Sequence, residues 1–170
     1  MLHKLLEIEG AKAYTYFWDS SKEMTPMKKR PAIVICPGGG YSFTSDREAE
    51  PIAMQFMAMG YQVVVLRYSV APVRYPKQLF QLGSLVKHIK EHAEEYHVDS
   101  EKIFIAGFSA GGHLAASYGV FWDREEFWKE MGLEETDLKP AGLILSYPVI
   151  TSGEYAHHDS FHNLLGERYE

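Results

Sequence analysis

The stretch IFIAGFSAGG, residues 103–112, decides the fold because it joins a buried strand to a helix through one serine. Residues 103–106 form a short apolar run of the kind found in strands that are covered on both faces. Ser109 follows within the pattern Gly-x-Ser-x-Gly, and a helical pattern starts directly after it. This context predicts a nucleophile elbow, a sharp turn that lifts the serine hydroxyl above the carboxyl edge of a sheet.

Glycines stand two residues before and two residues after Ser109, at Gly107 and Gly111. A sharp elbow needs them, because the serine takes a strained backbone and side chains beside it would clash. The alternative interpretation is a glycine-rich junction between strand and helix that carries an inert serine. A second glycine motif, earlier in the chain, favours the elbow.

That second motif is PGGGY, residues 37–41, which follows the first apolar run directly. Three glycines let backbone N–H groups face a ligand without intervening side chains. Beside an elbow serine, the amides of Gly39, Gly40 and Ala110 are predicted to hold the oxyanion of a tetrahedral intermediate. A phosphate-binding loop would end in Gly-Lys-Ser/Thr, whereas Tyr41 follows here. Tyr41 is a candidate substrate contact, with a structural aromatic as the alternative.

Apolar runs and helical patterns alternate along the chain, which predicts an α/β fold with a doubly wound, mostly parallel sheet. A lead-in strand, with an antiparallel direction as one option, precedes them at 13–18, and an amphipathic, partly helical excursion occupies 123–139. Ser45 and Glu48 form a capping-box pattern, but Pro51 leaves the start of the first helix open. The predicted strands lie at 32–36, 63–66, 103–106 and 143–145, and the predicted helices at 48–59, at 76–96 and after Ala110.

Composition limits the classes of protein that this chain can represent. Its 170 residues fit one domain, 1–170, with 46% hydrophobic and 24% charged residues. A net charge of −6 with one basic run, at 28–30, argues against a nucleic-acid partner. The sequence has neither an apolar stretch of membrane-spanning length nor a secretion signal at its start, so a cytoplasmic location is expected. The single cysteine, Cys36, forms no internal disulfide and is expected to fill the core.

Three segments together resemble the α/β-hydrolase superfamily: PGGGY at 37–41, RYSVAP at 67–72 and GFSAGGH at 107–113. Within it, the chain is similar to acetyl-xylan-esterase-like and hormone-sensitive-lipase-like carboxylesterases, from about Pro31 to Gly166. Those families usually carry His-Gly-Gly-Gly, and Pro37 stands where they have the histidine. The resemblance implies a serine carboxylesterase that cleaves small acyl or acetylated-carbohydrate esters through an acyl-serine, without an organic cofactor.

An elbow serine also needs a histidine base and an orienting carboxylate, which follow it in the order acid, then histidine. Only one further strand is evident after Ser109, at 143–145. We therefore expect a C-terminally truncated domain that lacks its last strands, the catalytic acid and the catalytic histidine. The free sheet edge of such a domain predicts self-association.

Three alternatives stay open at this point. One is a triad within the chain, and another is a hydrolase-like binding module that keeps the elbow without a triad. The third is a metal-dependent deacetylase built on the cluster at 157–162, although we expect no metal site, and His88, His92 and His113 are interpreted as structural. The internal triad would take Asp123 or Asp137 as its acid and His157, His158 or His162 as its base. The metal site would use His157, His158 and His162 together with Asp159.

Overall fold

A computed structural model describes residues 1–23, 29–133 and 137–169 of the chain. Lys28, the first residue of the basic run, lies outside the described residues, as do positions 134–136 of the amphipathic excursion. Among the described residues, no helix has both the length and the apolar character needed to cross a membrane.

A six-stranded sheet in the order β1-β2-β4-β3-β5-β6 forms the centre of the molecule. The last four strands in this order are parallel, whereas β2 runs antiparallel to β4 and to β1. The predicted α/β fold with a mostly parallel sheet is confirmed, and the lead-in strand takes its antiparallel option. The strands are β1 (Leu5–Ile8), β2 (Ala11–Tyr16), β3 (Arg30–Cys36), β4 (Gln62–Arg67), β5 (Val98–Phe108) and β6 (Gly142–Ser146).

Helices cover both faces of this sheet. Alternate residues of β3 and β4 enter two separate clusters, since successive side chains of a strand point to opposite faces. Ile33 and Val63 pack with α1, whereas Val34 and Val64 pack with α2 and α3. The helices are α1 (Glu50–Ala58), α2 (Lys77–Glu91), α3 (Ala110–Phe121), α4 (Glu125–Lys129) and α5 (His158–Leu165), with 3-10 helices at Asp46–Glu48 and Gly166–Tyr169.

The capping box predicted for Ser45 and Glu48 is wrong. Ser45 makes no side-chain capping hydrogen bond, and α1 begins later, at Glu50, with Pro51 in its first turn, where a proline is tolerated. The physical reason is a competing partner, because the Glu48 carboxylate accepts a hydrogen bond from the N–H of Gly38 at 2.7 Å. Glu48 therefore serves the glycine loop instead of a helix terminus.

β6 lies at one edge of the sheet and pairs with β5 alone among the described strands. Ile144 and Leu145 are 39% and 40% exposed, whereas the central strands are almost fully buried. Apolar strand residues in the middle of a doubly wound sheet are normally covered on both faces. This edge therefore leaves apolar strand residues exposed.

The junction of β5 and α3 brings backbone against backbone. A Cβ built on Gly111 would lie 2.0 Å from the carbonyl oxygen of Cys36 and 2.4 Å from that of Pro37. A Cβ on Gly107 would lie 2.2 Å from the carbonyl oxygen of Gly111. The two glycines therefore let the start of α3 press against the end of β3, as the elbow interpretation requires.

We expect Gly111→Ala to lower the free energy of unfolding by about 3 kcal/mol, because the obstructing atoms are backbone and cannot rotate away. Urea denaturation followed by circular dichroism measures this change. Gly153→Ala is the matched control, since its Cβ would meet nothing closer than 3.6 Å. Equal stability of the two variants would contradict the close approach.

Candidate active site

Ser109 occupies the strained turn that the sequence pattern predicts. Its backbone has φ of 52° and ψ of −117°, in the region that favours glycine, and it is the N-cap of α3. Its N–H donates to the carbonyl of Ser146 at 3.1 Å, and its own carbonyl accepts from His113 at 3.0 Å and Val149 at 3.1 Å. These three bonds hold the residue in a conformation that an isolated serine would avoid.

The carbonyl groups of the triple-glycine loop are all bonded within the protein. Gly38 O accepts from the N–H of Ser45 at 2.9 Å, and Gly39 O accepts from the N–H of Ser42 at 3.0 Å. Gly40 O accepts from the Asn163 side chain at 2.9 Å. In a trans peptide the N–H points away from the C=O, so each bonded carbonyl fixes the direction of the next N–H.

The N–H groups of Gly39 and Gly40 are left as unused donors. Among the described residues, neither group donates in any backbone or side-chain hydrogen bond. The N–H of Ala110 is the first of α3, where a helix offers no internal acceptor. Gly39 and Gly40 have φ of 128° and 61°, which other residues rarely adopt.

A cavity of about 470 Å³ joins the serine to the glycine loop. Ser109, half-buried, shares its lining with Gly39 and Gly40 on one side. A polar wall of the cavity comes from α5 and the residue before it. That wall consists of His157, Asp159, His162 and Asn163.

Helix α5 was missed by the sequence analysis, although it supplies most of this wall. Its signal was present in the sequence, because Phe161 and Leu164 have helical spacing and both are buried. Asp159, His162 and Asn163 lie on this helix, so α5 forms part of the cavity lining.

The candidate bases within the chain do not engage Ser109 in this structure. His157 Nδ1 is hydrogen-bonded to Ser160 Oγ at 2.8 Å, and His158 Nδ1 to Tyr169 Oη at 2.5 Å. The His162 ring stands edge-on to the ring of Tyr169. Within the described part of the chain, the Ser109 hydroxyl makes no hydrogen bond to a histidine.

The candidate acids lie elsewhere on the molecule. Asp137 pairs with Lys90 of α2 at 2.6 Å, and Asp123 lines a separate cavity with Asp137. Neither carboxylate belongs to the lining of the cavity that contains Ser109. Neither Asp123 nor Asp137 is therefore placed to act as the acid of an internal triad with Ser109.

The described residues contain no group of three metal-ligating side chains placed to hold an ion. His88 and His92 stack on each other with ring centroids 4.1 Å apart, and His88 is bonded to Tyr96 Oη at 2.9 Å. Burial raises the pKa of the Cys36 thiol above its usual range, which keeps it protonated and inert. Cys36 is fully buried, as expected of a core residue.

Tyr41 lies beneath the glycine loop rather than in the cavity. Its side chain is 2% exposed, its hydroxyl is hydrogen-bonded to His113 Nδ1 at 2.8 Å, and its ring packs against Tyr68. Tyr41 is absent from the cavity lining. This position favours the structural alternative over the predicted substrate contact, and His113 likewise takes the structural place expected of it.

Comparison with known proteins identifies the family. The profile of the BD-FAE family matches residues 20–144, most of the chain. The chain belongs to the BD-FAE family. The chain has the α/β-hydrolase fold of its structural neighbours. One of these neighbours is the carboxylesterase Cest-2923 from Lactobacillus plantarum.

That carboxylesterase is 32% identical, with a TM-score of 0.86 over 99% of this chain and 64% of its own. The acetyl ester-xyloside bifunctional hydrolase from Caldicellulosiruptor lactoaceticus is 32% identical, with a TM-score of 0.81 over 92% of this chain and 56% of its own. This BD-FAE member therefore spans less than two thirds of either solved structure.

Among curated proteins, endo-1,4-beta-xylanase B of Butyrivibrio fibrisolvens is 38% identical over 81% of this chain and 22% of its own length. The acetylxylan esterase of Xylanibacter ruminicola is 28% identical over 80% of this chain and 26% of its own length. The BD-FAE member thus spans about a quarter of these relatives.

The half-buried His113, hydrogen-bonded to the buried Tyr41, makes stability depend on pH. Burial lowers the pKa of His113 below its usual value of 6.5, so the unfolded chain takes up a proton first as the pH falls. This contribution to the free energy of unfolding is complete above pH 6.5 and is lost as the pH falls towards the lowered pKa. We expect His113→Asn to reduce the loss of stability between pH 7 and pH 5.5, as measured by urea denaturation at several pH values.

His88→Asn is the control, because burial and the neighbouring His92 also lower the pKa of His88. Its share of the pH dependence should be separate and additive, since the two histidines lie in different parts of the molecule. The free energy of unfolding could instead change with pH in His113→Asn as it does in the wild type. That result would contradict the lowered pKa of His113 in the folded protein.

Proposed function

We propose that this protein is a serine carboxylesterase in which Ser109 is the nucleophile. The observation that carries the proposal is the cavity in which Ser109, at a strained turn, meets the unused amides of Gly39 and Gly40. Esterases and an acetylxylan esterase among the relatives support the reaction class. The polar wall supports small esters of hydroxylated alcohols, including acetylated carbohydrates, as substrates.

In this mechanism Ser109 Oγ attacks the ester carbonyl carbon while a histidine takes the hydroxyl proton. The N–H groups of Gly39, Gly40 and Ala110 donate to the oxygen that becomes negative. The histidine then gives its proton to the departing alkoxide, which leaves an acyl-serine. Water adds to the acyl-serine by the same steps in reverse, releasing the acid and restoring the serine. No organic cofactor takes part.

The three amides supply the electrostatic part of catalysis. Donors that are fixed before the reaction cost no reorganisation when charge develops, and each is typically worth about 10² to 10³ in rate. Gly39 and Gly40 suit this role, because the bonded carbonyls of Gly38 and Gly39 fix the planes of the peptides that carry their N–H groups, while those N–H groups stay unused.

The histidine base is predicted to lie outside residues 1–170, together with the catalytic acid. The unengaged histidines around α5 support this prediction, since His157 is already bonded to Ser160. The same observation favours the second candidate, a binding module that keeps the elbow without a triad. A cytoplasmic location and the absence of a nucleic-acid partner also stay predictions.

In the natural full-length protein, we expect Ser109→Ala to lower the rate of p-nitrophenyl acetate hydrolysis by at least about 10³-fold, because the nucleophile is lost. Labelling by a fluorophosphonate should disappear together with hydrolysis, as read by intact mass. Ser117→Ala, on the same helix α3, is the control that should keep both.

The outcomes separate the alternatives. Hydrolysis that survives Ser109→Ala but is lost on chelation would select the metal-dependent reaction, and a full-length wild type without hydrolysis or labelling would select the binding module. Loss of activity in His157→Ala or His162→Ala would place the base beside α5. Each of these results would refute part of the proposal.

We also expect the 170-residue chain to self-associate through β6, since an exposed apolar edge strand offers free N–H and C=O groups to a second copy. Leu145→Lys should shift the molar mass in light scattering towards the monomer. Leu5→Lys is the matched control on the opposite edge, where Leu5 is 50% exposed. A monomeric wild-type chain would contradict this expectation.

A further inference from the structure

The Glu48 side chain lies in the cavity beside Ser109, and the proposed chemistry does not use it. Its Oε2 accepts from the N–H of Gly38 at 2.7 Å, and its Oε1 accepts from the Tyr147 hydroxyl at 2.9 Å. A Cβ built on Gly38 would lie 2.6 Å from Glu48 Oε2 and 3.0 Å from Ser109 Cβ. The carboxylate and the serine therefore flank the same glycine.

The peptide that enters the glycine loop is bonded to side chains at both of its polar ends. Pro37 O accepts from the Tyr68 hydroxyl at 2.5 Å, while the N–H of Gly38 donates to Glu48. A hydrogen bond to a carboxylate is about twice as strong as one between neutral groups. The plane of this peptide is thus fixed before the loop turns towards the cavity.

The other end of the loop is bonded to α5. The Asn163 side chain donates from Nδ2 to Gly40 O at 2.9 Å, across 123 residues of sequence. Asn163 is half-buried and lines the cavity. Between these two ends, Gly39 O accepts from the N–H groups of Ser42 and Phe43 and from the Ser42 hydroxyl, all within the loop itself.

We propose that Glu48 and Asn163 are positioning residues that clamp the two ends of the triple-glycine loop and hold the N–H groups of Gly39 and Gly40 towards Ser109. This inference rests on the proposed function, because it explains how that oxyanion site stays ordered. Neither residue contacts the reacting atoms in the proposed mechanism. Both act through the backbone that they bind.

A clamp is needed because three consecutive glycines have the widest conformational freedom of any tripeptide. Fixing each backbone costs about 1–2 kcal/mol, which the free loop would have to pay during the reaction. N–H groups whose direction fluctuates also lose the advantage of being fixed before charge develops. The hydrogen bonds made by Glu48 and Asn163 offset this loss of conformational entropy when the protein folds.

The negative charge of Glu48 is not what the clamp requires. A carboxylate near a developing oxyanion raises the energy of the transition state, whereas its hydrogen bonds to Gly38 and Tyr147 favour order. Glutamine keeps an acceptor for the N–H of Gly38 and removes the charge. The clamp therefore predicts that Glu48→Gln works and that Glu48→Ala fails.

The experiment compares Glu48→Ala, Glu48→Gln and Asn163→Leu in the natural full-length protein. Asn163→Leu keeps the size of the side chain and loses the donor to Gly40 O without adding a charge to the cavity. Steady-state hydrolysis of p-nitrophenyl acetate gives kcat and KM, and ¹⁵N-glycine spectra report the loop amides directly. Glu154→Ala, in an exposed loop, is the control for removal of a carboxylate.

We expect Glu48→Ala and Asn163→Leu to lower kcat by about tenfold to a hundredfold with KM within about threefold, because misplaced donors act on the transition state. Glu48→Gln should keep at least about a third of kcat. The Gly38 amide proton should move upfield in Glu48→Ala, where its acceptor is gone, and stay near its wild-type position in Glu48→Gln.

Two results would overturn the clamp. One is a Glu48→Ala enzyme whose kcat is within twofold of wild type and whose Gly38, Gly39 and Gly40 resonances are unmoved. The other is a Glu48→Gln enzyme as impaired as Glu48→Ala, which would assign the effect to charge. If the wild type hydrolyses no ester, the proposed function fails, and the glycine resonances alone decide for or against the clamp.

Discussion

The close approach of α3 to the end of β3 is the constraint on which the site depends. Gly111 lets the first turn of α3 press against the carbonyls of Cys36 and Pro37, so the serine and the glycine loop meet at the same edge of the sheet. A side chain at position 111 would push these two segments apart. The cavity that both segments line depends on that contact between backbones.

Sequence patterns were sufficient for the parts of the fold that bury continuous apolar runs. The four predicted strands lie inside observed strands. Those within β3, β4 and β5 are largely buried, as strands covered on both faces are, whereas the apolar residues Ile144 and Leu145 of the edge strand β6 are exposed. The elbow was predictable for a different reason, since a Cβ at Gly107 or Gly111 would collide with backbone atoms, and only glycine fits both positions. Local stereochemistry determines both features.

What the sequence did not reveal depends on contacts between distant residues. Glu48 looked like half of a capping box, and only the folded chain shows that the N–H of Gly38 takes its carboxylate. Tyr41 follows the glycines but turns beneath them to reach His113, 72 residues away in sequence. Spacing rules carry no information about such partners, because they describe neighbours within one helix or strand.

The bond between Ser109 and Ser146 connects the elbow to an edge strand of the sheet. Because the N–H of Ser109 donates to the last residue of β6, the elbow takes part of its support from the rim of the sheet. A displacement of this edge strand would therefore change the backbone conformation of Ser109 from outside the cavity.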